Sequence, residues 1–133
     1  MPADVVVTGG GTGGHTSPGL AVVAALGRRG VTCAWIGSRD GVESRHAPAA
    51  GIAYHAIATG KLRRALAWRN VTDLLVNVPS GVIEATRLLR ALDPRVVFAT
   101  GGFVALPVVL ATALARRPLV IHEQKRLRQK GLD

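Results

Sequence analysis

One stretch of this chain places reactive and ligand-approaching residues together: Thr8-Gly-Gly-Gly-Thr-Gly-Gly-His15-Thr-Ser-Pro18. Glycine fills positions 9, 10, 11, 13 and 14. Glycine accepts positive φ and lets a backbone come close to a ligand. A helix that opens just after such a loop aims unpaired N–H groups and a positive dipole end at that ligand, which suits a phosphate. His15 is the only titratable side chain in the stretch. Its ordinary pKa lies near neutrality, so it is a candidate general base, and a helix N-terminus favours the neutral form that a base needs. An equally good reading of the residues alone makes it a helix-entry side chain that bonds its own loop.

Two further stretches have the same placement, after a short apolar run. Thr100-Gly101-Gly102-Phe103 is a second glycine turn, and His122-Glu123-Gln124 follows Leu119-Val120-Ile121. Glu123 suits an arginine partner or a sugar hydroxyl. His46 and His55 have no catalytic neighbours in sequence and read as surface or structural residues. Ser17 and Ser80 read as cap or turn residues. No Cys/His cluster has metal-ligand spacing, so no metal and no cofactor is expected.

The first loop matches two phosphate-binding patterns incompletely. Gly9-x-Gly11-x-x-Gly14 fits the dinucleotide fingerprint, but Gly37-Ser38-Arg39 stands where an acidic residue should follow the second strand. Gly9 to Thr16 resembles a P-loop in which His15 replaces the lysine, so the point charge on the phosphates is lost.

The elements that must position these residues alternate. Asp4–Thr8, with Val5-Val6-Val7, reads as a strand buried on both faces, as in a parallel sheet. Pro18 suits a first helical turn, and the helix runs to Arg28-Arg29 before Gly30. Val31–Ile36 is a second strand, Val42–Ala50 a short helix, and Ile52–Ala58 a third strand. A basic connector, Thr59–Arg69, leads into a long amphipathic helix from Val71 to Leu89 and on to Asp93-Pro94, which Pro79 and Gly81 are expected to kink or split. Val96–Ala99, an apolar helix over Val104–Arg116 and the strand Leu119–Ile121 complete the pattern. This is an α/β chain with a Rossmann-like parallel sheet flanked by helices. In such sheets ligands bind beyond the carboxyl ends of the strands. Both glycine turns and His122-Glu123-Gln124 fall there. Residues 1–124 form the expected domain, and 125–133 a basic tail with Lys125, Arg126, Arg128 and Lys130.

Composition narrows the partners. Seventeen Lys and Arg against eight Asp and Glu leave a net charge of +9. Such an excess suits phosphates, anionic lipid or nucleic acid. Aromatic residues make up only 4% of the chain, thin for a base-stacking surface, so nucleic acid is disfavoured. The Lys61–Arg69 cluster with Leu66 and Trp68 suits an anionic membrane surface. The longest apolar stretch, Phe103–Ala115, contains Pro107 and is too short to span a bilayer, and no signal peptide is expected. Cys33 stands alone, which rules out a disulfide framework and reads as a small buried thiol.

Gly10-Gly-Thr-Gly-Gly-His15 with Pro18-Gly-Leu-Ala21, then Gly101-Gly102-Phe103, then His122-Glu-Gln124 closely resemble, in order and spacing, the MurG family of bacterial glycosyltransferases. The resemblance covers Val5 to Gln124. It implies the N-terminal, acceptor-binding half of a GT-B enzyme that moves GlcNAc from UDP-GlcNAc to the C4 hydroxyl of lipid I with inversion, giving lipid II for peptidoglycan. It implies His15 as the base. It places Gly11, Thr12, Gly13, Gly14, Gly101, Gly102, Phe103, Glu123 and Gln124 in the substrate site. Its implied partners are UDP-GlcNAc, lipid I, a donor-binding C-terminal domain or subunit, and the cytoplasmic face of the cell membrane. The chain departs from the family in Phe103, where tyrosine is usual, and in Lys125, where asparagine is usual. The alternative from another class is a non-catalytic module that binds a lipid diphosphate or nucleotide and recruits a separate donor-binding chain. A nicotinamide-binding domain is disfavoured by Ser38-Arg39.

Overall fold

The computed structural model describes residues 2–10, 13–57, 71–101 and 105–122, with the backbone alone at 13–15 and 71–78. Five strands form one sheet: β1 (Val5–Thr8), β2 (Cys33–Gly37), β3 (Ala53–Ala56), β4 (Val96–Ala99) and β5 (Leu119–Ile121). The described helices are α1 (Gly13–Arg28), α2 (Glu43–Ala49), α3 (Val71–Leu92) and α4 (Ala105–Leu114). The strand order is β3-β2-β1-β4-β5 and every pairing is parallel.

Burial on both faces explains the unbroken apolar strands. Val6, Ala34, Ile36 and Val97 face one core, with Ala85, Leu89 and Leu92 of α3 and Val108 and Ala111 of α4. Val5, Val7 and Trp35 face the other, with Leu20, Val23 and Leu26 of α1 and Ala47 of α2. Successive strand residues therefore serve opposite layers, as the period of two requires. Each such Val, Leu or Ile side chain contributes about 1.5–3 kcal/mol when fully buried.

The chain lays down β2 and β3 on one side of β1, then crosses to build β4 and β5 on the other. The carboxyl ends of β1 and β4 thus flank a topological switch point, where an open α/β sheet leaves a crevice. Thr8, at the end of β1, is level with Ile36 and Ala99.

Two expectations need correction. The first helix does not open at Pro18: it opens at Gly13, inside the glycine stretch, and Pro18 lies within it. Pro18 is the sixth residue of the helix, just past the four N–H groups that lack helical partners, so it removes one i→i−4 hydrogen bond there. Nor is the long helix split: α3 is continuous through Pro79 and Gly81. Gly81 has a packing role instead, since a Cβ there would come within 3.0 Å of Cβ of Pro107 on α4. The missing side chain lets α3 and α4 approach closely. No helix among the described residues is long and apolar enough to cross a membrane.

Candidate functional site

At the switch point the two glycine turns touch. Gly9 follows β1 with φ +132°, and Gly101 follows β4 with φ +97°. A Cβ on Gly9 would collide with the Thr100 hydroxyl and lie 3.0 Å from the Gly101 carbonyl oxygen. The Thr100 N–H donates to the Thr8 carbonyl at 2.9 Å, and its hydroxyl approaches the same oxygen at 3.4 Å. The His122 N–H donates to the Ala99 carbonyl at 2.8 Å, which brings the end of β5 to the same edge. The His122 ring is exposed and stacks near Phe98, with centroids 6.3 Å apart.

The first turn is also held from the β2 side. The Thr8 hydroxyl donates to the Ile36 carbonyl at 2.9 Å. The indole N–H of Trp35, itself fully buried, donates to the Gly9 carbonyl at 3.1 Å. The same ring lies beneath α1, where Gly19 leaves the space that a Cβ would take from it. Trp35→Phe is expected to lose this donor, strand the buried Gly9 carbonyl and leave a small void. The expected loss of stability is about 2–4 kcal/mol, measured by urea unfolding.

Beneath the first turn lies a buried carboxylate that the motif reading did not single out. Glu43, the first residue of α2, is fully buried. The Ser38 hydroxyl donates to it at 3.1 Å, and the Gly41 N–H donates back to that hydroxyl at 2.8 Å. A Cβ on Gly10 or Gly41 would collide with the carboxylate, and one on Gly37 would lie 2.8 Å from its Cγ. Three small residues around one acid are the signal a sequence reader has for it. Glu43 does not supply the ribose-binding acid of a dinucleotide fold, because it is buried under the loop.

Tyr54 closes this network: its hydroxyl donates to the Ser38 carbonyl. Burial, and then the Glu43 charge, push its phenol well above the ordinary range. The folded protein therefore keeps a proton that the unfolded chain loses at about pH 10. The stability linked to this group is complete below about pH 10 and falls as pH rises through the higher folded value. Tyr54→Phe is expected to flatten the alkaline limb of stability against pH, read as urea midpoints between about pH 8 and pH 11.

Of the expected site residues, Gly13, Gly14 and His15 form the first turn of α1, and Gly101 lies at the end of β4. The structure thus brings α1's first turn, Gly9-Gly10 and Thr100-Gly101 to one sheet edge. Gly11, Thr12, Gly102, Phe103, Glu123, Gln124, the Lys61–Arg69 cluster and the 125–133 tail lie outside the described residues. Elsewhere, His46 is exposed on α2, and His55 on β3 has a buried Nε2 with no partner among the described residues. Cys33 is half-buried at the opposite sheet edge, in an open depression of about 490 Å3 lined also by Leu20, Val23 and Ile52. Burial and Asp4 push its thiol pKa up, which disfavours the reactive thiolate.

Known proteins resemble this chain in sequence and in fold. The model of the glycosyltransferase family 28 N-terminal domain matches residues 5–129. A relative from Lachnoclostridium phytofermentans is 48% identical over 119 residues, and one from Clostridium tetani 39% over 123. Both are named UDP-N-acetylglucosamine–N-acetylmuramyl-(pentapeptide) pyrophosphoryl-undecaprenol N-acetylglucosamine transferase. The matches cover 90% and 92% of this chain but only 33% and 34% of those relatives. The chain therefore spans about a third of their length. Among solved structures, MurG of Acinetobacter baumannii superposes with a TM-score of 0.74 at 28% identity, over 92% of this chain and 34% of that one. The calicheamicin glycosyltransferase CalG4 has a TM-score of 0.67 at 18% identity over 100% of this chain and 34% of its own, a likeness of fold alone. The parallel sheet is that of the N-terminal part of a GT-B glycosyltransferase, and the chain belongs to glycosyltransferase family 28, whose N-terminal domain it matches from Val5 onward.

Proposed function

We propose that this chain is the acceptor-binding part of an enzyme that transfers GlcNAc from UDP-GlcNAc to the undecaprenyl-diphosphate-linked muramyl pentapeptide, lipid I. The observation that carries the reading is the contact of the two glycine turns at the switch point, beside the N-terminal turn of α1 that holds His15. Backbone N–H groups there and the positive end of α1 suit the acceptor diphosphate. The relatives' shared name supplies the substrate class.

In this reading His15 takes the proton of the acceptor hydroxyl as its oxygen attacks the anomeric carbon of GlcNAc. The bond from that carbon to the UDP phosphate oxygen breaks, UDP leaves with the electron pair, and the configuration inverts. The donor is held by a donor-binding domain or subunit corresponding to the remainder of the relatives' length. The excess of basic residues supports a working position at the anionic cytoplasmic face of the membrane.

Transfer of labelled GlcNAc to a lipid I analogue tests the proposal. The chain is assayed alone and mixed with the C-terminal two-thirds of a curated relative. Transfer by the mixture, with lipid I analogue bound by this chain alone, is the expected result. Binding without transfer in any mixture favours the non-catalytic module. No binding of the analogue overturns the acceptor assignment.

A further inference from the structure

We infer that Glu43 is a positioning residue for the first glycine turn, and that its charge, not its bulk, sets the shape in which that turn meets a diphosphate. The inference rests on the acceptor-site reading for its ligand, but not for its geometry. A fully buried carboxylate is costly unless it is hydrogen-bonded or paired. Here the Ser38 hydroxyl serves both carboxylate oxygens, at 3.1 and 3.4 Å. That hydroxyl is fixed in turn by the Gly41 N–H, and the Ser38 carbonyl by Tyr54. The acid is thus held by the end of β2, the turn after it, and a tyrosine of β3.

What the acid touches on its other side is Gly10. Gly10 has φ +136° and no room for a Cβ, because the Glu43 carboxylate occupies that space. An apolar residue of similar size would fill the volume but offer no acceptor to the Ser38 hydroxyl. Buried polar networks of this kind fix one geometry when complete and fail when partly broken. The atoms nearest a Cβ at Gly9 are those of Thr100 and Gly101, and the atoms nearest one at Gly10 are those of Glu43, so the acid packs against the turn at a different residue from the Thr100 contact.

Glu43→Gln separates charge from bulk. Glutamine keeps the volume but replaces one acceptor oxygen with an NH2 donor. The full 133-residue chain, labelled with 15N-glycine, is compared with this variant by amide spectra and by titration with inorganic pyrophosphate. The expected result is displaced Gly9 and Gly10 resonances, unmoved Gly30 and Gly51 resonances, and pyrophosphate affinity lowered at least about fivefold. Gly30 and Gly51 are suitable references because a Cβ at either meets nothing within 4 Å. Glu43→Asp, which restores the charge on a shorter arm, should recover part of the affinity. Unmoved Gly9 and Gly10 resonances, or binding that is unchanged or tighter, would overturn the inference.

If Glu43→Gln fails to fold, Ser38→Ala is read in the same way, since it removes the carboxylate's hydroxyl donor while leaving the acid in place. Should the wild-type chain not bind pyrophosphate, the acceptor-diphosphate reading fails. The glycine resonances then still decide the role of Glu43.

Discussion

Gly9→Ala is expected to lower stability by about 2–6 kcal/mol and to abolish diphosphate binding. Two separate effects add. A side chain at φ +132° is strained, at about 1–3 kcal/mol. The new methyl is also driven into the Thr100 hydroxyl and against the Gly101 carbonyl, and overpacking of this kind costs about 1–3 kcal/mol. Against a typical total of about 5–15 kcal/mol, the loss is large. Urea midpoints measure the sum, and a double-mutant cycle divides it. Thr100→Ala removes the hydroxyl that the methyl meets, so it should recover part of the overpacking and none of the backbone strain. Gly30→Ala is the reference for strain alone, because Gly30 has φ +76° and open space around it. A loss at Gly9 no larger than that at Gly30 would show that the two glycine turns do not bear on each other.

The strands were legible because a parallel sheet buries both faces, and an unbroken run such as Val5-Val6-Val7 has few other uses. The meeting of two glycine turns was legible for a related reason: strand ends in such a sheet share an edge. Contacts made by distant residues were not legible. Glu43 sits in a polar stretch, Glu-Ser-Arg-His, and its burial depends on Gly10, more than thirty residues earlier, as well as on Gly37, Ser38 and Gly41 nearby. Trp35 reads as a core residue, but its N–H bond to Gly9 depends on how β1 and β2 align. Gly81 misled in the opposite direction. Local propensity makes glycine a helix breaker, and here close packing against Pro107 prevails.

His15→Ala is expected to slow GlcNAc transfer about 10²–10⁴-fold in the reconstituted mixture, with lipid I analogue binding changed less than about threefold. The magnitude is that of a general base. The position supports it: His15 lies in the first turn of α1, beside the edge where Gly9 and Gly101 meet. The competing reading, a helix-entry residue, predicts the reverse split. Loss of an entry contact should lower the urea midpoint and weaken binding together, while bound acceptor still reacts at nearly the normal rate. His15→Asn sharpens the distinction, because asparagine can bond a helix N-terminus but cannot take up a proton at neutral pH. If His15 is the base, His15→Asn reacts as slowly as His15→Ala, although it folds as well as the parent. The pH dependence provides a third readout. A base must be unprotonated, so the wild-type rate should fall as pH drops through the titration of His15, and that acid limb should vanish from both variants. Full activity in His15→Asn, or an acid limb that survives the substitution, would assign the proton transfer to another group at this edge.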